Sequence, residues 1–249
     1  MHRPSLSLAL GISFCLLTAL VTPAQPRPTP RAQTAHTSFI KAFVIDERLS
    51  ALRQEADLHA PVLKRLRVGR AVYVIATRSG SPAFYRVAVT RRTRGWIHQG
   101  AIMMPGRTGE DERVIKVIEE TGDSLDRLAL CRLFLERFGR SRYAPRALLL
   151  MAEEAEHAAT SLTQHARRRL KRLEDEHHGT AAEDYYLSDP GLDRYSRLRV
   201  AFRFDAPQTR YAYDGLGYRE LIRRYPQSAE AATARQRLES LEPHLAKEK

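Results

Sequence analysis

The stretch from Pro61 to Ile97 constrains this chain more than any other. Pro61-Val62-Leu63-Lys64-Arg65-Leu66-Arg67-Val68-Gly69 leads into Ala71-Val72-Tyr73-Val74-Ile75-Ala76, then Phe84-Tyr85-Arg86-Val87-Ala88-Val89, then Gly95-Trp96-Ile97. Valine, isoleucine and aromatic residues suit a pleated, half-buried surface, and Arg78-Ser79-Gly80-Ser81-Pro82 is a turn cluster between two of the runs. The pattern predicts a meander of short strands. As a candidate binding module it has no catalytic constellation to compete with it.

Charge says where such a module would act. The 249 residues carry a net +12, and 43% of them are hydrophobic, enough for a buried core in one large domain or two modest ones. From Phe39 to Met104 there are 12 Lys and Arg against 4 Asp and Glu, a net +8; from Pro105 to the end there are 26 against 25, a net +1. Electrostatic binding of an anionic partner therefore belongs to the strand region and the linker before it. The alternative is an arginine-rich solvated surface with no ligand.

The N-terminus reads as an export signal. Arg3 gives a positive start, Leu6 to Val21 is apolar, and Thr22-Pro23-Ala24 offers small residues for cleavage after Ala24. Cys15 lies inside the apolar run and follows Phe14, where a lipoprotein signal places Gly or Ala, so a soluble exported protein is expected; an uncleaved anchor is the alternative. After cleavage only Cys131 remains, which excludes an internal disulfide. Its setting, Leu128-Ala129-Leu130-Cys131-Arg132-Leu133-Phe134, predicts a buried helix position rather than a reactive thiol. Gln25 to Thr37, with Pro26, Pro28 and Pro30, reads as an extended linker.

Phe39-Ile40-Lys41-Ala42-Phe43-Val44-Ile45 reads as a first strand, followed by a long polar excursion to His59. Strand, long loop and meander together resemble the bacterial SH3 (SH3b) domains. Arg53 stands eight residues before Pro61, as that family's arginine stands before its proline, and Pro61, Val62, Leu63, Leu66 and Gly69 fall in register with its P-V-I-G-x-L-x-x-G turn. Phe84-Tyr85-Arg86-Val87 takes the place of W-Y-K-V and Gly95-Trp96-Ile97 that of G-W-V, while Ser50-Ala51-Leu52 and Gln54-Glu55-Ala56 depart from L-N-V and S-G-P. The resemblance implies a small barrel over residues 38–104 that binds cell-wall peptides or partner proteins.

Pro105 to Gly109 is a turn-rich break, after which the period changes. Val114, Val117, Ile118, Leu125, Leu128, Leu133 and Phe134 fall at helical spacing, and Ala147 to Leu173 is a long helical pattern that ends in Arg167-Arg168-Arg169 and Lys171-Arg172. Basic residues near a helix C-terminus complement its dipole, so a solvated face explains this run without a phosphate ligand. Arg137-Phe138-Gly139-Arg140-Ser141 with Ala144 and Ala147 can be laid over Arg224-Tyr225-Pro226-Gln227-Ser228 with Ala231 and Ala234. Each copy ends a helix on an aromatic, turns and starts an alanine-rich helix. Tyr211, Gly215 and Tyr218 stand where tetratricopeptide (TPR) repeats put W, G and Y, so residues 110–249 resemble a TPR-like helical domain that presents a concave surface to protein segments. Glu183 to Tyr186 and Arg194 to Phe204 are aromatic-rich and read as packing faces of helices, with a peptide or glycan groove as the alternative.

Catalytic patterns are weak. Glu154 and His157 have the spacing of half a di-iron motif without a second half, and His177-His178 precede Gly179 at a helix end. G-x-S-x-G, H-E-x-x-H and phosphate-loop motifs are absent. The expectation is an exported, non-enzymatic protein without cofactor or metal, in the periplasm or outside the cell. It would have a signal peptide (1–24), a Pro-rich linker (25–37), an SH3-like barrel (38–104) and an all-α TPR-like domain (110–249). Peptidoglycan or an envelope protein is the expected partner, with no nucleic acid and no membrane span after cleavage. Arg53, Tyr73, Phe84 and Tyr85 are the candidate groove, and Trp96, after the tight Gly95 turn, is assigned to the core. The alternatives are an envelope scaffold driven by the helices without wall binding, or an accessory to a cell-wall enzyme.

Overall fold

Alternation along β1 (Phe39–Val44) sets the architecture. Ala42 and Val44 point to one side of the sheet and Phe43 and Ile45 to the other, yet all four are buried. This end of the strand, buried on both faces, needs a cover on each. The computed structural model describes residues 39–75, 83–176, 186, 189 and 191–245. The expected signal peptide and linker, the Arg78–Pro82 turn cluster and His177-His178 lie outside the described residues.

One cover is the sheet itself. β2 (Ala51–Arg53), β3 (Val62–Arg65), β4 (Ala71–Ile75), β5 (Phe84–Ala88), β6 (Arg94–His98) and β7 (Ile102–Met103) join β1 in the order β3-β2-β6-β5-β4-β1-β7, every pair antiparallel. Their inner faces enclose Ala42, Val44, Leu52, Val72, Val87 and Ile97. Gly69, at φ 79°, supplies the left-handed turn before β4. Gly95 answers a different need: a Cβ there would lie 2.6 Å from the Arg53 carbonyl oxygen, so only glycine lets β2 cross β6 this closely.

The sheet is open, which corrects the SH3-like barrel expected from the sequence. Closure would require the two end strands to pair. Here β7 pairs with β1 and β3 with β2, and no ladder joins β3 to β7. β3 is exposed at all four positions and carries Lys64 and Arg65, charges that discourage pairing with another chain at a free edge. β7 is only two residues long, and the chain then leaves the sheet to form helices.

Those helices are the second cover. After Gly109 at φ 73° come α1 (Glu110–Glu120), α2 (Ser124–Phe138) and α3 (Ala144–Glu176). Val114, Ile115, Ile118, Leu130 and Phe134 meet Phe43, Ile45 and Met103 in one cluster, and the Arg137 guanidinium lies 4.3 Å from the Phe43 ring centre. Polar groups lock the junction. The buried Glu110 carboxylate accepts from the Met104 N–H at 3.1 Å, and Arg113 reaches both that carboxylate and the Ile102 carbonyl. Asp123 caps α2, its carboxylate accepting from the Asp126 N–H at 2.9 Å. Arg127 of α2 pairs with buried Glu154 of α3 at 2.7 Å, while His157 is exposed, so the two residues of the di-iron spacing are not brought together. No group of three or more metal-ligating side chains forms among the described residues.

The remaining elements are α4 (Leu192–Ser196), the hairpin β8 (Phe202–Asp205) and β9 (Arg210–Tyr213), α5 (Leu216–Arg224) and α6 (Ala229–Leu245). The hairpin overturns the expected all-α TPR-like domain. Phe202 faces Tyr213 and Phe204 faces Tyr211 across it, an aromatic ladder at period two rather than a helix face. Tyr211 therefore sits in a strand, and Gly215, at φ 75°, starts a helix instead of lying within one. The Tyr213 hydroxyl caps that helix by accepting from the Gly217 N–H at 2.7 Å. The internal repeat has structural content all the same. α2 and α5 each end beside an aromatic, Ala144, Ala147, Ala231 and Ala234 are wholly buried, and Tyr225 donates to the Gly139 carbonyl at 2.8 Å, so the two turns touch. Among the described residues no helix is long and apolar enough to cross a membrane.

Because the Phe43 cluster is shared, sheet and helices should unfold together. Urea denaturation followed by fluorescence of the single tryptophan, Trp96 in the sheet, and by helical circular dichroism should give coincident curves, and Phe43→Ala should lower both by about 3–5 kcal/mol. Separate transitions would show that the two parts fold independently. Cys131 is buried in the same cluster, and burial pushes its thiol far above the usual range. Iodoacetamide should leave it unmodified in the native protein and label it fully in denaturant.

Candidate functional site

Strand register decides which side chains share the outer face of the sheet. Ile97 and Val87 are buried in the sheet core, so their neighbours Trp96 and Arg86, paired directly across β6 and β5, point the other way. Arg53 pairs with Trp96 on the far side, extending the row to Arg86–Trp96–Arg53 across three adjacent strands. A second row, Lys41–Tyr73–Ala88–Arg94, crosses β1, β4, β5 and β6 beside it. With adjacent strands roughly 4.8 Å apart, that row is about 15 Å long.

Three of the four groove residues expected from the sequence lie on this face. Tyr73 is 42% exposed at its centre. Arg53 is half-buried and donates to the Ala60 carbonyl at 2.7 Å, clamping the loop that leads into β3. Phe84 shares this face by register but is buried, its ring edge-on to His98 at 5.5 Å, so it offers no surface to a ligand. Tyr85 is on the opposite face. It pairs with Ile97 and packs against the sheet core, with its hydroxyl accepting from Arg107 at 3.3 Å.

Sequence reasoning missed Trp96. It is half-buried on the outer face, not in the core, and the signal that would have placed it is parity: in Gly95-Trp96-Ile97 only one of the two large side chains can point inward, and Ile97 does. Phe39, 54% exposed, extends the aromatic surface beside Ile75, its partner on β4.

The face is electropositive and unneutralised. Among the described residues Lys41, Arg53, Arg86 and Arg94 have no ion-pair partner. The four acids of this half, Asp46, Glu47, Glu55 and Asp57, all lie in the segments flanking β2. Asp46 is already engaged: burial alone would raise its carboxyl, but two side-chain bonds from Arg48 outweigh it and hold the carboxyl below its usual range. Cations alternating with exposed rings can grip an extended anionic ligand, the charges providing attraction and the rings a flat platform.

No family model, curated protein or solved structure matches this chain.

The surroundings of Trp96 can be read directly by collisional quenching. Iodide should quench it more efficiently than caesium, because Arg53 and Arg86 concentrate anions around the ring, and the difference should shrink as salt rises past the screening range. Equal quenching by the two ions would remove the electropositive platform.

Proposed function

We propose that this is an exported, non-enzymatic binding protein whose outer sheet face holds an anionic polymer of the cell envelope, with peptidoglycan as the ligand. The observation that carries the reading is the pair of cross-strand rows, in which Arg86, Arg53, Lys41 and Arg94 alternate with Trp96 and Tyr73 on a face without acids. Peptidoglycan suits it chemically. Its sugar rings stack on aromatic side chains, and the carboxylates of its stem peptides pair with guanidinium groups. The N-terminal export pattern supports the same reading, since it would deliver the chain to the compartment that holds the wall. The sheet shares its core with the helices, so the intact chain is the unit to test.

The test is co-sedimentation of the whole mature chain with purified sacculi across a salt series. Binding should fall with salt, and Trp96→Ala and Arg86→Glu should each weaken it roughly tenfold, a loss of ~1.4 kcal/mol, with the fold unchanged by circular dichroism. Absence of binding at low salt would sink the wall reading. The face would then belong to an acidic envelope protein, for which the same two variants provide the mapping.

A further inference from the structure

The arginine run late in α3 does not act as one face. Arg167 donates to the Gln208 and Thr209 carbonyls at 3.0 and 3.2 Å and holds the tip of the β8–β9 hairpin. Arg168, Arg169 and Arg172 turn instead toward a cavity of about 730 Å³ between α3, the start of α2 and α4. Its apolar part is made by Leu125, Leu162 and Tyr195, the latter two buried. Arg194 completes the cationic rim, and His165 lies beside it.

The charge balance of this cavity is one-sided. Among the described residues four guanidinium groups face it, against one carboxylate, Asp189. That carboxylate is already committed, accepting from the Gly191 N–H at 2.7 Å and lying 3.8 Å from Arg169. Among the described residues Arg168, Arg172 and Arg194 have no ion-pair partner. Helix-dipole complementarity does not account for the run, because α3 continues to Glu176 and its last turn holds no basic residue, nor does it explain why Arg194, from a different helix, faces the same space. The volume is that of a small-molecule site.

We infer that this cavity binds a phosphate-monoester amphiphile, its apolar part over Leu125, Leu162 and Tyr195 and its phosphate among Arg168, Arg172 and Arg194. A phosphate monoester carries about −1.5 to −2 charges near neutral pH and presents three acceptor oxygens, which matches several guanidinium forks better than a single carboxylate does. The apolar floor distinguishes the site from a general anion patch. It is separate from the sheet face and stands whether or not that face binds the wall.

The experiment is calorimetric titration of the whole mature chain with hexyl phosphate, at constant ionic strength, beside inorganic phosphate and hexanol. Hexyl phosphate should bind saturably and at least tenfold more tightly than either half-ligand. The double substitution Arg168→Ala with Arg172→Ala, both at exposed positions, should weaken it tenfold or more, while the charge-matched Arg91→Ala with Arg92→Ala in the β5–β6 turn should not. Vesicles containing phosphatidic acid identify the source: flotation with them, competed by hexyl phosphate, marks a lipid headgroup, and binding of hexyl phosphate without flotation marks a soluble phosphate ester. Equal affinity for hexyl phosphate and inorganic phosphate, no saturable binding at millimolar concentration, or indifference to the first double substitution would each overturn the inference.

Discussion

The structure depends on the C-terminal half of β1 and Ile45 after it being buried from both sides. Its inward residues, Ala42 and Val44, complete the sheet core, and its outward residues, Phe43 and Ile45, are the floor on which α1 and α2 lie. Each apolar side chain so covered is worth about 1.5–3 kcal/mol, and none of the outward set could be covered by the sheet alone. This requirement also explains the open edge. Met103, next to β1, is consumed by the helix interface, so β7 ends after two residues and the chain turns through Gly109 into α1. Glu110 and Arg113 then satisfy the backbone groups at the point where sheet pairing stops, which lets a sheet edge be buried without leaving orphaned donors or acceptors.

The same interface divides the outer face of the sheet into two zones. Toward β7 it is covered: Ala71 pairs with Phe43 and packs against the helical cluster. Two residues along β1 and β4, Lys41 pairs with Tyr73 and both are exposed, and from there the basic and aromatic rows run across β5, β6 and β2. The solvated zone is thus what remains once the helices have taken the apolar part of the face. A surface left over in this way is normally polar and mixed in sign. Here the acids lie in the segments flanking β2, and the strands contribute cations, rings and small or apolar side chains but no acid.

Local patterns in the sequence located β1, β4, β5 and β6, the turn at Gly69, the buried position of Cys131 and the two alanine-rich helix starts, because each depends on a period or a turn residue within a few positions. Closure of the sheet was not legible, since it depends on whether two strands some forty residues apart in sequence pair, and no local pattern encodes that. The β8–β9 hairpin was present as a period-two signal, Phe202 with Phe204 and Tyr211 with Tyr213, but spacing to a helical repeat motif outweighed it. Trp96 and Tyr85 were exchanged in role for a related reason. A Gly-Trp-Ile triplet does not state which of its large residues faces inward, and only the pairing of Ile97 with Tyr85 fixes the parity for both strands.

Charge shows most clearly where counting fails. By composition the C-terminal half is almost neutral, which assigns all electrostatic function to the sheet. Neutrality over 145 residues is only an average, however, and folding redistributes it. Most ion pairs in the helical half join neighbours in space or sequence, such as Lys116 with Glu112, Arg146 with Glu119 and Arg224 with Glu220, and these cancel locally. Where α3 and α4 converge, four arginines surround a cavity that has one carboxylate among the described residues. A field of that kind is determined by which residues share a concave space within a screening length, a property of the tertiary arrangement rather than of the totals. The sheet face can be anticipated from composition, because its cations come from one contiguous stretch of chain; the helical cavity cannot, because Arg168, Arg172 and Arg194 become neighbours only when α4 folds back against α3.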